Sequence, residues 1–168
     1  MITIDIQQFS NTYEVKRLNE QDVESIYILC KANTQYYRYC EKEPSKKLIQ
    51  QDMVITPPNI PLSQKYYVGF YYQNELMAIM DFIDGYPSSE YGFIGFFMMN
   101  IAVQGTGIGS RIIMDVCAYC QALGFTKLRL GIDKDNPQSN HFWQKNGFEV
   151  IKEVQQEDGV ILIAEKKL

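Results

Sequence analysis

An apolar stretch that ends in three alternating glycines constrains the fold of this chain more than any other feature. Residues 93–103 are nearly all apolar and rich in β-forming types, which predicts a strand buried on both faces. Glycines follow at positions 105, 107 and 109. From Ser110 to Gly124 the apolar residues recur at three- and four-residue spacings. The segment therefore predicts a strand, a glycine turn and an amphipathic helix in direct succession.

A glycine turn at the start of a helix is suited to bind an anion. The first helical turn leaves backbone N–H groups unpaired at the positive end of the helix dipole, and glycine lets a phosphate approach without meeting a Cβ. Two common nucleotide loops do not fit. A P-loop needs a lysine after Gly107 or Gly109, and a dinucleotide fingerprint from Gly105 needs a glycine where Ser110 stands. A tight turn without a ligand is the alternative interpretation.

Two segments together indicate a more specific relationship. Residues 104–109 read Gln-Gly-Thr-Gly-Ile-Gly, which matches Gln-x-x-Gly-x-Gly, and residues 136–148 begin with Asn-Pro, carry an aromatic pair and end in Gly-Phe. Asn136 suits a helix N-cap, and Gly147 suits a left-handed helix end. A predicted strand at 127–132 separates the two segments. They resemble the acyl-CoA pyrophosphate loop and the second signature of the GCN5-related N-acetyltransferase (GNAT) superfamily, in the family's order.

The resemblance implies a fold, an activity and a set of cofactor contacts. It implies an N-acetyltransferase that moves acetyl from acetyl-CoA directly to an amine. The loop holds the pyrophosphate by backbone N–H groups, and Ile101 and Val103 bond the pantetheine arm by main chain. Lys145 either approaches the adenosine 3′-phosphate or is a solvated surface lysine. The implied cofactor-binding residues are Ile101, Ala102, Val103, Gln104, Gly105, Thr106, Gly107, Ile108, Gly109, Ser110, Asn136, Ser139, Trp143 and Lys145.

The catalytic side chains are less evident than the cofactor loop. The family's general acid is commonly a tyrosine, but the matching position holds Trp143, whose indole does not release a proton near neutral pH. We expect Trp143 to pack the wall of the acyl arm, and Ser139, one turn earlier, is a candidate to hydrogen-bond the sulfur. The candidate catalytic residues are Glu90, Asn100 and Ser139. Asp81 and Asp84 are further base candidates, with Tyr91 close to Glu90, and a water chain is the alternative.

Composition limits the partners. The net charge of −4 disfavours nucleic acid and mildly favours a cationic acceptor. The predicted acceptor is the amino group of a small molecule or a peptide, and Tyr36 and Tyr37 either line its pocket or cover the core edge. Cys117 and Cys120 fall on the apolar helix stripe and are predicted as buried hydrophobes, so no metal site is expected. No membrane span or signal pattern is evident, which predicts a cytoplasmic protein.

The remaining pattern covers essentially the whole chain. Strands are predicted at 12–18, 65–72, 75–85, 148–154 and 160–165, and further helices are predicted near residues 22 and 45. The second and third strands are expected to join in a hairpin at Gln73-Asn74 and to form an antiparallel meander with the strand from residue 93, and the last two strands are expected to form a closing hairpin. We expect a single domain over 1–168 with a mixed, mostly antiparallel sheet flanked by helices. Exposed closing strands favour a homodimer. The alternatives to an enzyme are a non-catalytic acyl-CoA-binding module or sensor, or another nucleotide-binding protein.

Overall fold

The computed structural model describes residues 2–40 and 42–168, and one seven-stranded sheet runs through them. The strands are β1 (Glu14–Arg17), β2 (Lys65–Tyr72), β3 (Glu75–Asp84), β4 (Tyr91–Met99), β5 (Lys127–Asp133), β6 (Glu149–Gln156) and β7 (Gly159–Lys167). The α-helices are α1 (Val23–Ala32), α2 (Thr34–Tyr37), α3 (Lys46–Asp52), α4 (Ile108–Ala122) and α5 (Pro137–Lys145). The predicted mixed α/β fold is confirmed.

The strand order is β1-β2-β3-β4-β5-β7-β6, and only the β4–β5 pair is parallel. The predicted meander of β2, β3 and β4 and the closing β6–β7 hairpin are both confirmed. Gln73 and Asn74 join β2 to β3 with φ values of 50° and 64°, as a two-residue hairpin turn requires. One core cluster packs α4 and α5 against the sheet, and a second packs α1 and α3 against the sheet.

Strands β4 and β5 separate after a short parallel stretch. They pair only from Tyr91 opposite Lys127 to Ile94 opposite Leu130. The β3–β4 register then shifts, so that Gly95 is an extra residue in β4. Because β4 no longer follows β5 beyond this bulge, the sheet opens between the two strands. The prediction that β4 is buried on both faces is therefore wrong, and Gly95 is exposed.

The predicted strand over 93–103 is also too long at its end. Asn100 stops it: its side-chain amide donates to Leu76 O at 3.1 Å, and its Oδ1 accepts from Ala102 N at 3.0 Å. Residues Ile101–Val103 consequently form a 3₁₀ turn rather than strand. Apolar composition continues through this turn, but the side-chain cap of Asn100 outweighs it.

The helix boundaries follow the local signals closely. Gly107 precedes α4 with φ 85°, and Gly124 follows α4 with φ 95°. Asn136 caps α5, since its Oδ1 accepts from Ser139 N at 3.2 Å, and Pro137 takes the first helical position. The predicted helix end at Gly124 and the predicted N-cap at Asn136 are both confirmed. Cys117 and Cys120 are buried and not in a disulfide, as predicted.

Candidate active site

The end of β4, the glycine loop and α5 enclose a cavity of about 360 Å³, called here the glycine-loop cavity. Its position follows from the opening between β4 and β5, because the chain turns from β4 into the loop at the open edge. Its walls include Asn33, Val103, Gln104, Gly105, Gly107, Gly109, Ser110, Gln138, Ser139, His141 and Lys145, together with aromatic residues of β4 and α5.

The loop is shaped to approach an anion with its main chain. Gly105 and Gly107 have φ values of 73° and 85°, and a Cβ built on either meets nothing within 4 Å. The open side of these glycines and the amino end of the 15-residue helix α4 face the same cavity. Among the described residues that line the cavity, none is acidic, whereas Lys145 is basic. This donor set fits a phosphate group.

Gln104 connects the loop to α1. Its Nε2 donates to Asn33 Oδ1, and its Oε1 accepts from Gln138 Nε2 on α5 at 3.3 Å. Asn33 is buried, and its Nδ2 donates to Leu29 O at 2.9 Å and to Met99 O at 3.0 Å. The loop is therefore held against the carboxyl ends of both α1 and β4.

Aromatic rings form the wall on the α5 side. Trp143 is 8% exposed, and its ring centroid lies 4.9 Å from Phe142, 5.9 Å from Phe97 and 5.1 Å from Phe148. Gly109 allows α4 to approach this wall, because a Cβ there would lie 3.2 Å from Phe142 Cε2. The cluster fixes the orientation of α5 against β4.

Two further cavities lie beside the glycine-loop cavity. The junction cavity, about 60 Å³, occupies the opening between β4 and β5. The sheet-face cavity, about 610 Å³, lies over β5, β7 and β6 on the side of α2. Ser139 and Trp143 line the glycine-loop and junction cavities, Asp133 lines the junction and sheet-face cavities, and Tyr36 lines all three. The three cavities therefore adjoin one another at the opening between β4 and β5.

Tyr36 and Tyr37 occupy different environments. Burial, followed by the neighbouring Cys40 and Asp133, raises the pKa of Tyr36 above its ordinary value. Its hydroxyl therefore stays protonated near neutral pH and can donate a hydrogen bond, and the Cys40 thiol is its hydrogen-bonding neighbour in the structure. Tyr37 turns instead toward Cys30 in the core, where burial raises its pKa, and it lines none of the three cavities. The structure thus brings only Tyr36 to the site.

A buried ion pair lies behind the bulge at Gly95. Lys65 is 2% exposed, and its Nζ lies 2.7 Å from Asp81 Oδ2. A Cβ on Gly95 would lie 2.7 Å from the same oxygen, so glycine leaves room for the carboxylate. Burial raises the pKa of Asp81, and the hydrogen bond and charge of Lys65 act against this rise. Asp81, a predicted base candidate, is thus engaged with Lys65.

Several predicted site residues lie outside the cavities. Glu90 is exposed at the start of β4, whereas the glycine-loop cavity is at the strand's other end. Both side-chain groups of Asn100 bond the main chain. The side chain of Asn136 is fully buried as the α5 cap. The predicted cofactor contacts that do not line the glycine-loop cavity are Ile101, Ala102, Thr106, Ile108 and Asn136.

Other lining residues were not predicted. Asn33, Gly95, Phe97 and Asp133 all contribute to the three cavities. A glycine inside an apolar strand pattern is a known signal for a bulge, and this signal could have identified Gly95. No sequence signal places Asn33 or Asp133 at the site, because the fold brings them there from distant positions.

Residues 2–40 and 42–168 contain neither a metal-binding cluster nor a helix suited to span a membrane. Over residues 2–40 and 42–168, no group of three or more His, Cys, Asp or Glu side chains is arranged to hold a metal ion. None of the helices in the same described residues is both long and apolar enough to cross a bilayer.

Comparison with known proteins supplies the family. The sequence profile described as "Acetyltransferase (GNAT) family" matches residues 26–148. Comparison with curated proteins found no match.

Solved structures with the same fold cover nearly the whole chain. An acetyltransferase from Thermus thermophilus has a TM-score of 0.73 at 16% identity, over 94% of this chain and 97% of that one. The Salmonella typhimurium acetyltransferase that modifies the N-terminal serine of ribosomal protein L7/L12 has a TM-score of 0.73 at 16% identity, over 95% of this chain and 97% of that one. The PaiA N-acetyltransferase of Thermoplasma acidophilum, in complex with coenzyme A, has a TM-score of 0.68 at 17% identity, over 94% of this chain and 99% of that one. The chain thus belongs to the acetyltransferase (GNAT) family.

Proposed function

We propose that this protein is an N-acetyltransferase that moves the acetyl group of acetyl-CoA directly to the amino group of a small molecule or peptide. The observation that carries the proposal is the set of three adjoining cavities at the opening between β4 and β5, with a glycine loop suited to bind an anion at one end. Two substrates that enter these cavities from opposite sides meet at the junction cavity, where proximity favours direct transfer. The coenzyme A complex of the Thermoplasma neighbour supports the choice of cofactor.

The chain's residues have distinct tasks in this proposal. Backbone N–H groups between Gln104 and Ser110 hold the pyrophosphate, with Lys145 near the phosphates. The edge of β4 that faces away from β3 is open beyond Ile94, and it replaces the predicted Ile101 and Val103 as the partner of the pantetheine arm. Acetyl-CoA, when bound, supplies an activated acetyl thioester.

The junction cavity is where the transfer takes place. Ser139 lines it from α5 and is positioned to hydrogen-bond the sulfur, while Trp143 packs the wall and excludes water. A thiol with a pKa of about 8.5 leaves as thiolate without a strong acid. The absence of the family's tyrosine from position 143 is therefore compatible with catalysis.

Calorimetric titration of acetyl-CoA tests the cofactor assignment. Gly107→Glu places bulk and negative charge in the loop, and we expect the Kd to rise about 100-fold or more, because a left-handed backbone position and charge repulsion both oppose binding. Gly124→Glu is the matched control, since Gly124 has a similar φ of 95° at the far end of α4 and open space around its Cβ. Equal affinity in both variants would refute the glycine loop as the pyrophosphate site.

Release of free CoA distinguishes the enzyme from its main alternative. The tryptophan at the tyrosine position favours a non-catalytic acyl-CoA sensor as the second candidate function. An enzyme releases CoA faster when an amine is present, whereas a sensor binds acetyl-CoA and does not respond to amines. The rate of thiol appearance with and without a panel of primary amines decides between the two.

A further inference from the structure

The inner end of the sheet-face cavity carries one negative charge. Asp133 ends β5 and lines both the sheet-face and junction cavities. One of its carboxylate oxygens, Oδ1, accepts from Asp135 N at 3.1 Å, which holds the side chain in place. Among the described residues that line the junction cavity, Asp133 alone carries a charge. A cation that reaches the junction cavity therefore meets this carboxylate.

Tyr36 lies at the same point from the opposite side. It belongs to α2 and lines the glycine-loop, junction and sheet-face cavities together. Its ring packs edge-on against Phe96 of β4 at 6.3 Å and against Tyr37 at 5.0 Å, so its position is fixed. Tyr36 and Asp133 both line the junction cavity, and the charge of Asp133, after burial and Cys40, contributes to the raised pKa of Tyr36.

The other charges of the sheet-face cavity oppose a second cation. Arg129 is neutralised by Glu165, with Nη2 and Oε2 2.6 Å apart. Lys42 and Lys152 line the cavity and are exposed, and Asp158 is the remaining acid. The charges other than Asp133 thus give no acidic surface of the kind that a polyamine or an aminoglycoside requires.

Apolar side chains form much of the remaining wall. Tyr86 and Phe93 pack edge-on with ring centroids 5.1 Å apart, and Ile161 and Ile163 of β7 lie across the cavity floor. Rings and branched aliphatic chains bind the apolar body of a ligand. One carboxylate at the inner end and an apolar wall outside it are complementary to an amine on a hydrophobic group.

We propose that Asp133 and Tyr36 form the amine subsite, and that the acceptor is a primary monoamine on an apolar or aromatic body rather than a polycation. This inference rests on the proposed acetyl transfer and names the substrate class of the same site. Asp133 binds the ammonium group, which loses one proton to solvent water before attack, and Tyr36 positions the neutral nitrogen beside the acetyl carbonyl. The C–N bond then forms, the C–S bond of acetyl-CoA breaks, and the CoA thiolate takes the second amine proton. Neither residue is within the family signatures at 104–109 and 136–148.

Amine binding to the CoA-saturated protein tests the subsite without turnover. Calorimetric titration of 2-phenylethylamine is expected to show binding to the wild type that weakens about 10- to 100-fold in Asp133→Asn, the usual value of a hydrogen bond to a charged group. Glu157→Gln removes the same charge from the exposed β6–β7 turn and is expected to bind like the wild type. The Kd for acetyl-CoA is expected to stay within about threefold in both variants.

Steady-state kinetics separates the two roles. Asp133→Asn is expected to raise the KM for 2-phenylethylamine more than it lowers kcat, whereas Tyr36→Phe is expected to lower kcat about tenfold with little change in KM. The wild type is expected to have a larger kcat/KM for 2-phenylethylamine than for spermidine or kanamycin.

The outcomes that overturn the inference differ from those that overturn the proposed function. Wild-type amine affinity in Asp133→Asn, or a preference for spermidine or kanamycin, overturns the amine subsite and leaves amine-dependent CoA release intact. Failure of every amine to accelerate CoA release from bound acetyl-CoA overturns the proposed function and the inference with it.

Discussion

The two ends of the cleft are built by different means. The glycine-loop cavity is formed largely by two short stretches of chain and uses positive-φ glycines and main-chain N–H groups. The sheet-face cavity is assembled from side chains of α2, the β3–β4 connection and strands β4 to β7. A main-chain site depends on local conformation and leaves a short motif, whereas a side-chain site depends on topology. The cofactor end can therefore be recognised from a short stretch of sequence, whereas the other end can be recognised only from the fold.

The ion pair lies behind Gly95, which lines the junction and sheet-face cavities, and breaking the pair is the largest expected effect. Lys65→Met leaves the Asp81 carboxylate buried without its cation, so the free energy of unfolding is expected to fall by about 4 kcal/mol. Urea unfolding measures the loss. The affinity of the folded variant for acetyl-CoA is expected to stay unchanged, because neither residue of the pair lines the glycine-loop cavity.

A double variant controls this experiment. Lys65→Met combined with Asp81→Leu removes both charges and is expected to recover most of the lost stability. A single variant as stable as the wild type would mean that the pair contributes nothing to the stability of the fold.

Filling the sheet-face cavity is expected to separate acceptor use from cofactor binding. A side chain at Gly131 enters this cavity between Arg129 and Asp133, and its Cβ lies 2.9 Å from Ile161 Cγ2, which must shift. Gly131→Val is expected to lower kcat/KM for the amine about 100-fold, since small misplacements of a reacting group are costly. Calorimetry is expected to find the acetyl-CoA Kd within about threefold, and Gly131→Ala should be intermediate. If Gly131→Val weakened acetyl-CoA binding as much as it lowered kcat/KM for the amine, the two ends of the cleft would not be functionally separate.

Glu165 adds a pH-dependent contribution on the sheet-face side. It accepts from Arg129 Nε at 2.8 Å and from Lys127 Nζ at 3.3 Å. Burial acts to raise its pKa, but these hydrogen bonds and charges outweigh burial, so the pKa lies below the ordinary value. The stabilisation is therefore present above the unfolded-state pKa of about 4.3 and is lost as the pH falls through the lower folded-state value.

Glu165→Gln measures this contribution. At pH 7 the free energy of unfolding is expected to fall by about 2 kcal/mol, and the difference from the wild type is expected to shrink below about pH 4. Glu153→Gln breaks the exposed Lys134–Glu153 pair and is expected to change stability by less than about 1 kcal/mol. A pH-independent difference for Glu165→Gln would show that its ionisation does not stabilise the fold.

Trp143 is expected to give the smallest effect on turnover. Trp143→Phe keeps an aromatic ring among Phe97, Phe142 and Phe148, so kcat is expected to change by no more than about threefold and stability by about 1 kcal/mol. Stopped-flow or steady-state thiol release measures kcat, and calorimetry measures acetyl-CoA affinity. Loss of turnover with unchanged affinity would show that the indole takes part in the chemistry.

The sequence predicted those parts of the fold that depend on neighbouring residues. The hairpin at Gln73-Asn74, the α5 cap at Asn136 and the glycine turn before α4 were each determined by a few adjacent positions. The predicted end of β4 was wrong because hydrophobicity continues past Asn100. The side-chain hydrogen bonds that stop the strand are not visible in a hydropathy pattern.

The candidate site follows the same rule: the part formed by adjacent residues was predicted, and the part assembled by the fold was not. The loop from Gln104 to Ser110 was recognisable because its task falls to its own backbone. Tyr36 and Asp133 lie far apart in the chain, and only the splitting of β4 from β5 brings both to one cavity. Glu90 was attractive as a carboxylate near the central strand, but it stands at the strand's far end.

The contacts of Asn33 have a thermodynamic consequence. This residue bonds the carboxyl ends of α1 and β4 and receives Gln104 from the glycine loop, and α2 with Tyr36 begins at the next residue. A ligand that binds the loop is therefore expected to restrict also the segment that carries Tyr36, which the proposed amine subsite uses. Binding of the two substrates should then be linked, so that acetyl-CoA strengthens amine binding by the same factor with which the amine strengthens acetyl-CoA binding.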